Sequence, residues 1–316
     1  MATKHENDID NLVRISQMYY YENMSQAEIA KIFGISRPQI SKLLLRARER
    51  GIVNIIVQSP QNSIEKMQQS FVDHFSLKNC FIIPSMLTSF ESEKLLTKTA
   101  SEIIERLVAR SAVIGLGWGD LIYTICNNAI VQPQFSESSV VLPLVGSITA
   151  PNRGYNTNEL VRAFSVSYSM TPYYLHAPAF PSSQLELDQF RQTVNHKQIY
   201  QYWNKMDVTI FRISNFPSVP DLATSSRFGD MLMQKKAVGA ILSYYYDIDG
   251  NIIRGANDYC VAASLEQIKK TPSRLAIAST STTAQSLLGL LNSGCATHLI
   301  LAEETAKELI GMISLR

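Results

Sequence analysis

Through the first part of the chain the apolar residues Ile9, Leu12, Val13, Ile15, Met18 and Tyr19 recur mostly at helical spacing, which predicts one amphipathic helix from Asn7 to Asn23. In the following Met24-Ser25-Gln26-Ala27-Glu28, Ser25 is placed to cap a second helix, and Glu28, three residues on, to return a bond to the backbone. That helix runs through Ile29, Ala30 and Phe33 and stops at Gly34, a residue suited to the positive φ of a C-cap. Ile35 plugs the turn. Ser36 is a second N-cap, and Pro38 is tolerated in the next first turn because the N–H it lacks would be unpaired there.

Projected at about 100° per residue, the helix after Ser36 gathers Ile40, Leu43, Leu44 and Ala47 in one arc that must pack on the preceding helices. Opposite lie Pro38, Lys42, Leu45 and Glu49, with Ser41 and Arg46 on the flanks and Arg37 and Gln39 at the exposed N-terminal end. Helix, glycine turn, helix is the arrangement that lays such an end in the major groove of DNA. Arg37, Gln39, Ser41 and Lys42, with Pro38 among them, are therefore candidates to face base edges. Leu45 is placed to meet a thymine methyl, and Arg46, Arg48 and Arg50 suit phosphates. The plainer alternative is a basic amphipathic helix facing water.

Beyond Gly51, the β-branched run from Ile52 to Val57 predicts a strand that could form a wing edge, and the polar, proline-bearing 58–62 predicts a linker. From residue 63 the pattern alternates between strand and helix. Helices are expected at 64–75, 92–109, 121–130, 222–236, 284–292 and 303–312, and strands at 80–83, 112–116, 140–145, 208–213, 239–246, 275–278 and 298–301. This implies an N-terminal helix-turn-helix domain, 1–57, followed by a doubly wound α/β domain, 63–316, whose largely parallel sheet carries helices on both faces.

Composition sharpens this picture. At about 150 residues per domain, 316 residues leave room for two domains, and 46% hydrophobic against 18% charged residues excludes global disorder. The net charge of +2 gives no hint of a nucleic-acid partner until it is divided along the chain. Residues 24–50 hold six basic side chains (Lys31, Arg37, Lys42, Arg46, Arg48, Arg50) against two acidic ones (Glu28, Glu49), a surplus of +4, while the chain after Arg50 is balanced. A positive reading head on a neutral body suits operator DNA. Cys80, Cys126, Cys260 and Cys295 form no C-x-x-C pair and read as reduced core residues, and the five histidines show no zinc spacing. No metal and no cofactor are expected. The polar N-terminus and the lack of an apolar run of about 18 residues lead us to expect a soluble cytoplasmic protein with no membrane partner.

In a parallel sheet, ligands bind beyond the strand C-termini, and three loops lie where that rule applies. Gly115-Leu116-Gly117-Trp118-Gly119-Asp120 joins a strand to a helix, and its glycines let backbone N–H groups approach an anion. It is not a dinucleotide fingerprint, because the third glycine would fall at Asp120, and it lacks the Lys-Ser/Thr of a phosphate-binding loop. The others are Pro143-Leu144-Val145-Gly146-Ser147 and the hydroxyl run Ser279-Thr280-Ser281-Thr282-Thr283, which suits a phosphate or a polyol. The first reads equally as a tight packing turn and the last as a capping-rich loop exposed to water.

The order of these features resembles the SorC/DeoR-type sugar-binding transcriptional regulators of bacteria over nearly the whole chain. The resemblance is carried by 24–30, 36–44 and 51–53, by Ile114 to Gly119 and Pro143 to Gly146, and by Asn158-Glu159-Leu160-Val161, Leu175-His176-Ala177-Pro178 and Tyr246-Asp247-Ile248-Asp249-Gly250. It implies an effector domain related to sugar-phosphate isomerases but used for sensing, operator DNA near a sugar-utilisation operon, and a homodimer or homotetramer. Departures from the family pattern gather at the implied pocket. Arg212-Ile213-Ser214 stands for Gly-Ile-Gly, Gly239-Ala240-Ile241 for Gly-Asp-Ile, Ser279 to Thr283 for Gly-Gly-x-x-Lys, and Leu301-Ala302-Glu303 for Thr-Asp-Glu. A carboxylate and an ammonium are lost and a guanidinium, Arg212, is gained. Either Arg212 partners a sugar or sugar phosphate in a modified site made with Gly115, Gly117, Trp118, Gly119, Asp120, Gly146, Ser147 and Ser279 to Thr283, or it fills the site and effector response is gone. An isomerase or deaminase is the competing class; Asp120, Asp207 and His176 are its candidate bases, though they read more readily as a helix cap, a strand-end carboxylate and a loop hydrogen bond, and the missing Asp and Lys count against it.

Overall fold

The computed structural model describes residues 6–54, 63–109, 113–128, 139–148, 152–217 and 224–314. The chain divides into two compact units, Met1–Asn62 and Ser63–Arg316.

The first unit contains α1 (Glu6–Tyr20), α2 (Gln26–Phe33) and α3 (Arg37–Glu49). Ser25 and Glu28 form a reciprocal capping box at the start of α2. Gly34 ends that helix at φ 65°, where a side chain would cost about 1–2 kcal/mol. Ile15, Met18, Ile29, Ala30, Ile40 and Leu44 form the core between the three helices, with Leu43 packed partly against it. Ile52–Asn54 are not in a strand; the N–H groups of Ile52 and Val53 instead donate to Ala47 O, closing the end of α3. The rest of the expected wing, 55–57, and the linker 58–62 lie outside the described residues.

The second unit runs α4 (Ser63–Phe75), β1 (Asn79–Ile83), α5 (Ser89–Val108), β2 (Val113–Leu116), α6 (Asp120–Asn128), β3 (Val140–Pro143), a 3-10 turn at Arg153–Tyr155, α7 (Thr157–Ser167), β4 (Thr171–Pro172), α8 (Gln184–Gln192), α9 (Val194–Trp203) and β5 (Val208–Asn215). It continues with α10 (Thr224–Phe228), α11 (Met231–Gln234), β6 (Gly239–Ile241), β7 (Tyr244–Tyr246), β8 (Ile252–Ile253), α12 (Leu265–Lys270), β9 (Ser273–Ile277), α13 (Ala284–Ser293), β10 (His298–Ala302) and α14 (Glu303–Ser314). The strands lie in the order β1-β10-β9-β5-β2-β3-β4, and every neighbouring pair on that path is parallel. The fold is doubly wound α/β. β2, β3 and β10 are buried throughout, as strands covered on both faces must be.

Two expected elements are broken. The run 239–246 is a hairpin, because Leu242 takes φ 51° and turns β6 back into β7. In the described part of the expected helix 222–236, Gly229 at φ 54° separates α10 from α11. Ile213–Asn215 of β5 extend beyond the end of β2 and pair antiparallel with β6. Cys80, Cys126 and Cys295 are buried and Cys260 half-buried, all as free thiols.

Candidate functional site

On α3, Arg37, Pro38, Gln39, Ser41, Lys42, Leu45 and Arg46 are all exposed, whereas Ile40, Leu44 and Ala47 are buried. The surface presented to solvent is thus basic and amide-bearing along one side of the helix. Gln39 has a second task. Its Oε1 accepts from the Ser36 backbone N–H at 2.8 Å and from the Ser36 hydroxyl at 2.9 Å, which leaves its Nε2 to donate to a ligand.

In the second unit the strand order reverses at β2, whose chain continues into β3 on one side while β5 lies on the other. The crevice beyond their C-terminal ends is where such a sheet binds ligands. Gly117 N–H donates to Ile210 O of β5 at 2.8 Å, fixing the loop to the strand. Gly119, at φ 116°, donates its N–H to Gly154 O at 2.7 Å, and a Cβ there would stand 2.4 Å from Arg212 Cδ and Nε. The Arg212 stem therefore lies directly on Gly119. Its Nη2 reaches the Tyr155 hydroxyl at 3.4 Å, and its Nε is buried without a partner among the described residues. Burial pushes the Tyr155 hydroxyl pKa up; the Arg212 charge works against that shift and Asp120 adds to it. Trp118 is buried, edge-on to Tyr155 at 5.6 Å and to Phe180 at 6.0 Å, so it anchors the loop in the hydrophobic core.

The other expected residues divide. Gly115 lies inside β2, where a Cβ would meet Leu144 Cδ2 at 2.5 Å and Met206 Sδ at 2.6 Å; it is a packing glycine rather than part of the loop. Gly146 donates its N–H to Val261 O and abuts the Pro178 backbone, while Ser147 donates its N–H to Ala177 O and bonds Thr157 Oγ1 at 2.8 Å. Both join neighbouring loops. Ser279 to Thr283 follow β9, whose Ile277 pairs with Arg212 in register, so the hydroxyl loop leaves the sheet beside the Arg212 strand. Thr280 gives both its N–H (3.1 Å) and its hydroxyl (2.7 Å) to Glu93 Oε1. Asn215 accepts from Thr283 N–H at 2.9 Å and donates to Ser281 O at 2.8 Å. Glu93, Tyr155 and Asn215 were not among the expected residues; nothing local in their sequence positions points to the crevice.

One of the three candidate bases is misplaced for chemistry there. Asp207 precedes β5 and its Oδ2 accepts from Val113 N–H at 2.9 Å, at the N-terminal end of the strands and opposite the crevice. His176 is exposed, its N–H held by Asn195 Oδ1. Among the described residues no group of three metal-ligating side chains occurs, and no helix is long and apolar enough to cross a membrane.

Residues 59–311 match the family model described as "Putative sugar-binding domain", and residues 17–50 match that of sigma-70, region 4. These matches, with the capped helix-turn-helix described above, show a DNA-binding transcriptional regulator with a sugar-binding domain. The chain belongs to that sugar-binding-domain family, of the SorC/DeoR type. It is 27% identical over 318 aligned residues to the "Sorbitol operon regulator" of Klebsiella pneumoniae, across 97% of this chain and 99% of the relative. It is 25% identical over 306 residues to the "Deoxyribonucleoside regulator" of Bacillus subtilis (strain 168), across 94% and 96%. The crystal structure of full-length SorC from Klebsiella pneumoniae matches with a TM-score of 0.78 at 26% identity, covering 96% of this chain and 99% of that one. These relatives are regulators of transcription, not enzymes.

Proposed function

We propose that the protein is a sequence-specific regulator of a carbohydrate-utilisation operon whose operator affinity is set by a sugar or sugar phosphate in the switch-point crevice. Residues 1–57 form the DNA-binding domain, 58–62 the linker and 63–316 the effector and oligomerisation domain. Arg37, Gln39, Ser41 and Lys42, beside Pro38, face base edges, and Arg46 faces phosphate. A homodimer or homotetramer acting in the cytoplasm is the assembly that repeated half-sites call for, because one short helix reads only a few base pairs.

Gly117, Gly119, Asp120, Arg212 and Ser279 to Thr283 border the ligand, and Trp118 backs them. The observation that carries this reading is Arg212, a guanidinium laid across Gly119 at the strand reversal, its buried Nε without a partner among the described residues. A buried donor left unmade costs free energy that a ligand oxygen would recover. The same contact favours the second reading, in which Arg212 fills the crevice and the ligand response is lost. Calorimetry with a panel of sugars and sugar phosphates, beside gel shifts on the operator, separates them. We expect at least one compound to bind and to change operator affinity, and Arg212→Ala to weaken it. No heat and no thermal shift with any compound would establish the filled crevice instead.

A further inference from the structure

We propose that the crevice selects an uncharged polyol or sugar and rejects its phosphate ester, with Glu93 as the residue that sets this choice; the proposal rests on the crevice being the effector site. An oxyanion at the end of β9 would need N–H and hydroxyl donors that have no other partner. Two of the backbone donors in that loop are already taken within the chain. Thr280 N–H and its hydroxyl both point at Glu93 Oε1, at 3.1 and 2.7 Å. Thr283 N–H points at Asn215 Oδ1, at 2.9 Å. A carboxylate thus stands against the loop on the side from which a phosphate would approach its amides.

The charges around the crevice run the same way. Arg212 contributes one positive charge, against the carboxylates of Asp120 and Glu93, and Thr283 supplies no ammonium. Glu303, at the end of β10, is held by Lys307 at 2.6 Å and Ser85 N–H at 3.0 Å, so that lysine is spent on its own helix. A phosphate monoester, with about −1.5 to −2 charges at neutral pH, would meet in Arg212, Asp120 and Glu93 more carboxylates than cations. A polyol meets complementary groups instead. Its hydroxyls can donate to Glu93 and accept from Arg212, and the Ser279, Ser281 and Thr282 hydroxyls, which bond one another at 3.0 and 3.2 Å, can exchange those bonds for it.

The test is calorimetry on the full chain, wild type and Glu93→Gln, with D-sorbitol, L-sorbose and D-ribose, each beside its phosphate ester, and with inorganic phosphate. Thermal unfolding of the variant confirms that it folds, and Glu93→Ala serves as a second substitution. The wild type is expected to bind one uncharged compound at least about tenfold more tightly than its ester, and Glu93→Gln to narrow that ratio by about tenfold, from both sides. Tighter binding of the ester by wild type, or a ratio unmoved by both Glu93 variants while Arg212→Ala weakens the ligand, would overturn Glu93 as the selector. An uncharged ligand whose affinity ignores Arg212→Ala and both Glu93 variants would overturn the crevice as its site. Absence of binding by every compound would overturn the effector reading itself.

Discussion

Gly119→Ala is the sharpest probe of the crevice, because two separate penalties meet at one atom. At φ 116° an alanine is strained, for about 1–3 kcal/mol. The new Cβ would also stand 2.4 Å from Arg212 Cδ and Nε, where carbon contacts settle at about 3.5–4.0 Å. The arginine stem must move by more than about 1 Å. It would lose its weak bond to Tyr155 and its packing, for about 1 kcal/mol more. The total is about 2–4 kcal/mol. Removing the arginine should relieve only the second part, so Gly119→Ala/Arg212→Ala is expected to be about 1 kcal/mol more stable than the two single losses add to. Gly154→Ala provides the control. Its Cβ would meet the Gly119 and Asp120 backbone at 2.7 and 2.8 Å, which Arg212→Ala cannot relieve. The assay is urea unfolding followed by tryptophan fluorescence; both tryptophans, Trp118 and Trp203, lie in the effector unit, so the signal reports that unit. Additivity of Gly119→Ala and Arg212→Ala within about 0.5 kcal/mol would refute the placement of Arg212 on Gly119.

The remaining predictions concern both units. Lys42→Ala and Arg37→Ala should weaken operator binding, and a variant that removes a phosphate contact, such as Arg46→Ala, should lower the slope of log affinity against log salt by about one; anisotropy titrations unmoved by Lys42→Ala and Arg37→Ala would mean α3 is not the reading helix. Ser25→Ala should cost about 1 kcal/mol by removing one half of the α2 capping box, measured by circular dichroism of thermal unfolding. The Ser25 bonds hold the Glu28 carboxyl below its usual range, so that support is present at neutral pH and fades as pH falls through the lowered pKa. His298 is buried, and burial, with Lys78 and Arg274 adding, lowers its pKa to about 4. The unfolded chain therefore binds this proton first. Stability should fall from about pH 6.5 to pH 4, with a loss of about 2 kcal/mol at pH 5. His298→Asn should flatten that slope in urea titrations at pH 7 and 5.

The reading head was legible in the sequence because its signals are local: Ser25 and Glu28, Gly34, and Ser36 are within a few residues of what they act on. The parallel sheet was legible as alternation, but its wiring was not. β1 pairs with β10, and Glu93 meets Thr280 across 187 residues, separations that no short pattern encodes. Asp207 is the strand-end carboxylate the sequence suggests, but an acidic residue beside a strand does not reveal which end of the sheet it occupies. The hairpin at Leu242 escaped because its turn uses positive φ without glycine. The helices α7, α8 and α9 lie where the pattern predicts none between the strands at 140 and 208; their local signals are the caps Asn156, Ser183 and Thr193, residue types that serve turns equally well.

The hydrophobic core of the first unit, built on Ile15, Ile29 and Ile40, shares no residue with the two clusters of the second, one around the parallel sheet and one around Phe228 and Tyr245. Substitutions on the exposed face of α3 replace no residue of the second unit's cores, and substitutions around Gly119 replace none of the first unit's core. Descent can therefore revise which genes such a protein governs and which nutrient it heeds as separate inheritances. An exchange of reading heads between relatives at residue 62 is one step in that history that the separate cores permit.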